Sequence, residues 1–92
     1  MQDSEYEYTM KVSVDNSTGS INKLYIEPWG DELTIKPNDK IVLIGKGPLE
    51  LAEINMEYKK DYLVIYAWSK STITVLINGE LQDNGSSGFP SM

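Results

Sequence analysis

The side chains that could do chemistry in this chain are carboxylates, hydroxyls and amines, because the sequence contains no Cys, no His and no Arg. Eight lysines stand against six Asp and eight Glu. Such an alphabet excludes disulfides, thiolate or imidazole metal ligands, Ser-His and Cys-His nucleophiles, and the guanidinium fork that grips phosphate. What remains is acid-base work by two carboxylates, which glycosidases hold about 5 to 9.5 Å apart. Asp31 with Glu32 and Glu50 with Glu53 are the candidate pairs. Neighbouring residues of a strand point to opposite faces, however, and a domain this small leaves little room for an enzyme-sized cleft. The reading is therefore non-catalytic. Asp15-Asn16-Ser17, Asp31-Glu32 and Asp83-Asn84 could each lend oxygens to calcium, but none has the ordered spacing of an EF-hand loop, so they read as solvated turn acids. No cofactor or metal is expected.

Binding chemistry is better represented. Trp29 sits between Pro28 and Gly30, in a turn where it is either an exposed contact anchor or a plug folded back on the core. Trp is enriched in interface hot spots, yet burying its ring stabilises a domain short of core, and the plug is the preferred reading. Glu27, Trp29, Asp31 and Glu32 form the candidate contact set at this loop end. Tyr6, Tyr8, Tyr25, Tyr58, Tyr62 and Tyr66 could stack on sugars, although Tyr is also an ordinary strand residue with an amphipathic tip. If Trp29 is covered, the interaction moves to a sheet face.

Charge narrows the partners. A formal charge of -6 and a pI near 4.4 oppose nucleic acid and anionic membranes, which are bound through basic patches. A basic protein is the partner that fits. The longest apolar runs, 41–44 and 62–68, are far shorter than the roughly 18 to 20 residues that cross a bilayer. No basic and then apolar leader is visible after Met1, so a cytoplasmic location is expected. Asn16-Ser17-Thr18 and Asn84-Gly85-Ser86 match the glycosylation sequon but read as polar turns.

The elements that must position these residues follow from period and punctuation. From Tyr6 to Asp15 apolar and polar residues alternate without a break, the signature of a strand with one face on a core. Asn16 to Ser20 is a turn cluster, and a second strand runs over 21–27 to Pro28, which has no amide hydrogen for a ladder. Glu27-Pro28-Trp29-Gly30 should be a hairpin tip, followed by a strand over 31–36. Ile41 to Ile44 is apolar on both parities, which predicts a strand near the middle of the sheet, covered on both faces or sitting where two layers meet, and closed by Gly45-Lys46-Gly47-Pro48. Residues 49–56 shift apolar parity midway and read as a bulged strand, with a short helix as the alternative. Glu57 to Asp61 is a charged turn, 62–68 a strand filled on both faces, and 72–77 a β-branched strand leading to Asn78-Gly79, the strongest hairpin signal in the chain. Residues 80–82 return as an edge.

Ninety-two residues suit one small core. The fold class is thus all-β, a small antiparallel β-sandwich of seven or eight strands with immunoglobulin-like or cupredoxin-like architecture. One domain is expected over 1–82, with 1–5 frayed and 83–92 a mobile tail.

Val12-Ser13-Val14-Asp15-Asn16-Ser17, Tyr25-Ile26-Glu27-Pro28-Trp29-Gly30-Asp31-Glu32 and Leu33-Thr34-Ile35-Lys36-Pro37 together resemble small uncharacterised bacterial β proteins that carry a Glu-Pro-Trp-Gly turn. The stretch from Trp68 to Gly79 looks like their closing hairpin. This resemblance implies the sandwich and no copper site, since cupredoxin copper needs His and Cys. The functional expectation is an acidic protein-interaction module, of the kind immunity proteins exemplify by covering a basic partner. A carbohydrate-binding module using surface Tyr and Trp is the alternative.

Overall fold

The computed structural model describes residues 7–92, so Tyr6 and the expected fraying of 1–5 lie outside the described residues. Eight strands follow in order: β1 (Glu7–Asp15), β2 (Lys23–Glu27), β3 (Asp31–Thr34), β4 (Lys40–Pro48), β5 (Asn55–Tyr58), β6 (Tyr62–Tyr66), β7 (Thr72–Ile77) and β8 (Glu80–Leu81). They form two four-stranded sheets, β1-β4-β7-β8 and β3-β2-β6-β5. The chain is a small β-sandwich.

Its core is made by the inward parity of each central strand. Leu24 and Ile26 of β2, Ile41 and Leu43 of β4, Leu63 and Ile65 of β6, and Ile73 and Val75 of β7 are fully buried. Each such side chain stabilises the fold by about 1.5 to 3 kcal/mol, and with no disulfide this burial is the main cohesive force. The alternation of β1 keeps its phase, but its depth decays along the strand. Val14 is buried, Met10 and Val12 are half-buried, and Tyr8 is exposed.

Local turn chemistry sets two of the strand pairs. Glu27 to Gly30 joins β2 to β3, with a cis Glu27–Pro28 bond, Gly30 at φ 77° and its amide donating to the Ile26 carbonyl at 2.9 Å. Asn78 and Gly79 both have positive φ, 53° and 84°, and connect β7 to β8. The predicted turn at 16–20 is built around the buried Asn16. Its amide donates to the carbonyls of Ile21 and Lys36, both at 2.9 Å, and its Oδ1 accepts from the Ile21 amide.

Other segments differ from the sequence reading, each for a physical reason. The sandwich is not wholly antiparallel: β2 and β6 pair in parallel, with Lys23 opposite Tyr62 and Glu27 opposite Tyr66. β4 does not stop at Ile44 but continues through Gly45-Lys46-Gly47-Pro48 against β1. The glycines lie on its inward parity, where a Cβ on Gly45 would stand 2.8 Å from the Trp68 ring and one on Gly47 would stand 2.8 Å from Ser71 Cα. They are space for neighbours, not a turn. The outer parity of β4, Val42 and Ile44, is half-buried and has no covering layer among the described residues, so central position alone accounts for its apolar character. Residues 49–56 form neither a bulged strand nor a full helix. A single 3-10 turn, Leu49–Leu51, follows Pro48, and β5 begins only at Asn55. β6 ends at Tyr66, and Trp68 is buried from the loop beyond it, its indole N–H donating to the Pro48 carbonyl at 2.9 Å.

The segment 83–92, expected as a mobile tail, lies against the sandwich. Ser86 and Ser91 are buried, and a 3-10 turn spans Gly85–Ser87. Ser86 Oγ donates to the Ile73 carbonyl at 2.8 Å, and Ser91 Oγ donates to the Trp68 carbonyl at 2.6 Å. Small hydroxyl residues reach backbone carbonyls that apolar ones could not satisfy, so low apolar content did not prevent packing. Among the described residues no helix is long and apolar enough to cross a membrane.

Candidate functional site: a tyrosine-lined groove

The residues expected to act together at the Glu-Pro-Trp-Gly hairpin are dispersed by the fold. Trp29 is half-buried, packs against the core and donates its indole N–H to the Phe89 carbonyl at 2.6 Å. It is a plug. Asp31 faces the C-terminal segment, where its Oδ2 accepts the Ser86 amide at 2.7 Å and the Asn84 side-chain amide at 3.3 Å. Glu32 is paired with Lys23 across the β2–β3 ladder, which raises the lysine above its ordinary value through the hydrogen bond and the charge of Glu32. Only Glu27 opens onto a concavity.

That concavity follows from strand register. Outward positions on β2 are Lys23, Tyr25 and Glu27, and their parallel partners on β6 are Tyr62, Val64 and Tyr66. β5 adds Glu57 opposite Val64. Because period 2 places these on one face, three tyrosines, two glutamates, one lysine and one valine share the outer surface of the β3-β2-β6-β5 sheet. The surface is concave, with a groove of about 760 Å³. Val64, only 8% exposed, is its floor. The chain leaving β2 and β6 closes one end with Pro28, Ala67 and Ser69, and Ser91 and Met92 of the C-terminal segment complete that wall.

Electrostatics distinguishes the two glutamates. Glu57 Oε2 is 3.0 Å from Lys59 Nζ, and its Oε1 accepts the Tyr66 hydroxyl at 3.1 Å. The hydrogen bond from Lys59, then the one from Tyr66, hold its carboxyl below the ordinary range. Lys59 is raised in turn by the Glu57 hydrogen bond and charge. Tyr66 is raised mainly by donating to Glu57, with burial and the charges of Glu57 and Glu27 adding to the effect. Glu27 thus lies close enough to be felt by the phenol. As a residue it is half-buried, and among the described residues its carboxylate has neither an ion-paired lysine nor a hydrogen-bond donor.

The tyrosines do not make a flat platform. Tyr25 and Tyr62 meet edge to face, with ring centroids 5.2 Å apart and planes at 84°. Tyr66 stands two outward positions along β6 from Tyr62, on the far side of Val64. The arrangement is an open groove with Val64 at its base and the tyrosines at different angles along it. Sequence reading named Glu27 and these tyrosines separately. It missed Val64, Glu57 and Lys59, whose place depends on the parallel β2–β6 pairing that no local signal carries. The other acid pairs considered for catalysis or calcium stay apart from the groove, and among the described residues no group of three or more Asp or Glu could hold a metal.

Fold and groove together define the class: a small two-sheet β-sandwich with one concave, tyrosine-lined and acid-rimmed face. Comparisons with protein-family models, curated proteins and solved structures found no match.

Proposed function

We propose that this domain is a non-catalytic recognition module that docks a basic protein partner on the outer face of the β3-β2-β6-β5 sheet. The carrying observation is Glu27, a half-buried residue whose carboxylate has no ion-pair or hydrogen-bond partner among the described residues, beside the tyrosines that line the groove. A partner's positive charge would pair with this carboxylate without displacing an existing bond. The excess of acid over base across the whole chain supports the same reading, because complementary charge speeds and orients encounter. The contact surface thereby moves from the hairpin to the sheet face, since Trp29 and Asp31 are engaged in holding the C-terminal segment.

Titration with a short lysine-rich peptide, followed by NMR at low and at physiological salt, tests the proposal. Amide shifts should cluster on β2, β5 and β6 and weaken as salt screens the charges. Glu27→Lys should abolish binding, while Glu32→Gln should change it little. Shifts spread evenly over the surface, or binding indifferent to salt, would count against the reading. A carbohydrate is the second reading, favoured by the tyrosines and carboxylates that could bond sugar hydroxyls in a groove of this size. Oligosaccharides that move the same amides while the peptide does not would establish it instead.

A further inference from the structure

We propose that the open edge of β1 receives one further strand, an extended segment of a partner protein laid antiparallel to it, with an acid opposite Lys11 between bases opposite Glu7 and Asp15. This edge belongs to the β1-β4-β7-β8 sheet and is independent of the docking face proposed above.

Backbone direction is the first argument. Asn16, one residue beyond β1, continues the ladder opposite Asp39 and donates its amide to the Asp39 carbonyl at 3.0 Å. Opposed residues that share such bonds alternate, along an antiparallel pair, with residues whose amides and carbonyls turn the other way. Tyr8, Met10, Val12 and Val14 therefore bond toward β4, while Glu7, Thr9, Lys11, Ser13 and Asp15 hold their main-chain groups toward the edge, where no described strand lies. Lys40, opposite Asp15, agrees, because its carbonyl turns away from β1 to accept the Asn78 amide at 2.8 Å. Among the described edge strands β1 is also the longest, nine residues paired to β4 without a bulge, against four in β3 and in β5 and two in β8. It has no Pro, no Gly and no charge on its inward parity. Those are the devices that ordinarily block strand addition. The inward row is uncovered to match: Val14 is buried, Val12 and Met10 are half-buried and Tyr8 is 41% exposed. A strand with apolar residues at alternate positions would cover it.

Charge order is the second argument, and it selects the occupant. Along the outward parity Glu7, Lys11 and Asp15 stand at four-residue spacing and read negative, positive, negative. A second copy of β1 paired antiparallel over its full length would set Lys11 on Lys11 and each Glu7 on an Asp15. Like charges directly opposed destabilise a sheet, so the edge is guarded against itself and open to a different strand. Lys11 and Asp15 have no ion-pair partner among the described residues, and Glu7 has only a 3.8 Å contact with Lys46. A strand reading basic, acidic, basic at the same spacing pairs all three. Main-chain bonds then supply the attachment, as in other strand-addition complexes, and the charges supply the register. The charge order is the same read in either direction, and the antiparallel sense follows the three existing pairs of this sheet.

The test adds the capped peptide Lys-Val-Thr-Val-Glu-Val-Thr-Val-Lys to the whole chain and follows amide shifts and hydrogen exchange by NMR. The amides of Thr9, Lys11 and Ser13 should shift and gain protection from exchange. The charge-reversed peptide Glu-Val-Thr-Val-Lys-Val-Thr-Val-Glu should bind this edge at least about tenfold more weakly, since three opposed pairs turn from attractive to repulsive. Methylating the main-chain nitrogens of the two Thr removes donors that face β1 and should abolish binding, whereas methylating two Val nitrogens, which face away, should not. Ser13→Pro removes an amide from the edge and none from the β1–β4 ladder, so it should lose the peptide while keeping its amide spectrum. Should that variant fail to fold, the methylated peptides decide the same point on the unaltered chain. Lys11→Glu should narrow the difference between the two charge orders. Equal binding of both orders would overturn the partner chemistry, and binding that survives Thr methylation would overturn the added strand. Protection of β1 that appears on concentrating the chain alone, with a dimer in sedimentation, would give the edge to a second copy and overturn the proposal. No change at β1 overturns it too, and shifts confined to β2, β5 and β6 in that case leave the docking face of the other sheet standing.

Discussion

At the scale of single residues, the polar side chains divide by what they hold. Asn16, Asp31 and Asp39 serve the backbone, since each accepts or donates to main-chain groups at turns. Asp39 accepts the Lys36 amide at 2.8 Å and the Asn78 side-chain amide at 2.8 Å. The first bond, then the second, hold its carboxyl below the ordinary value of 3.8. Folding lowers this pKa, so the contribution to stability is complete above the unfolded value and is lost as pH falls through the folded one. Glu57 adds to the same limb from its ordinary value of 4.5. Urea midpoints should accordingly fall on acidification below about pH 4, and Asp39→Ala should flatten part of that decline. The sequence showed these residues only as turn acids. Their specific partners lie at turns joined through tertiary structure, as when Asp39 meets Asn78 across the β4–β7 pair.

Elements were legible where local chemistry decides them. The alternation of β1, the Pro28 and Gly30 turn and the Asn78-Gly79 hairpin are each fixed by a backbone preference that the residues carry themselves. β4 shows the opposite case. Gly45 and Gly47 resemble a turn in sequence, yet the strand runs through them because Trp68 and Ser71 occupy the space a side chain would fill. Gly47→Ala should cost about 1 to 3 kcal/mol, measured by denaturant unfolding, because the added Cβ meets the Ser71 backbone and the Lys70 carbonyl at 3.1 Å. Gly45→Ala should cost a comparable amount, since its Cβ would stand 2.8 Å from the buried ring of Trp68, which the indole bond to the Pro48 carbonyl holds in place. Gly79→Ala meets no atom within 4 Å and should register only the strain of its positive φ. The 3-10 turn at Leu49–Leu51 was obscured for a related reason: Leu49 and Leu51 are about half exposed, so their apolar pattern marks no core face.

At the scale of the whole molecule, the C-terminal segment ties the two sheets. It bonds to β7 through Ser86, to the β2–β3 hairpin through Asp31 and Trp29, and to the loop after β6 through Ser91. Truncation after Gln82 should lower stability on the order of 3 kcal/mol, counting several hydrogen bonds near 1 kcal/mol each, and should weaken peptide binding by removing Ser91 and Met92 from the groove wall. Denaturant unfolding and the titration described above measure both effects. The sequence by itself determined the all-β class, the phase of the strands, the two principal hairpins, the acidity and the exclusion of His, Cys and Arg chemistry. These are properties of local period, turn stereochemistry and composition. Tertiary structure alone decided that β2 and β6 run in parallel, that Trp29 faces the C-terminal segment, and that Glu27 shares a groove with Tyr25, Val64 and Tyr66. Such pairings join residues tens of positions apart, and their energy comes from burying apolar faces together, which no short stretch of chain contains.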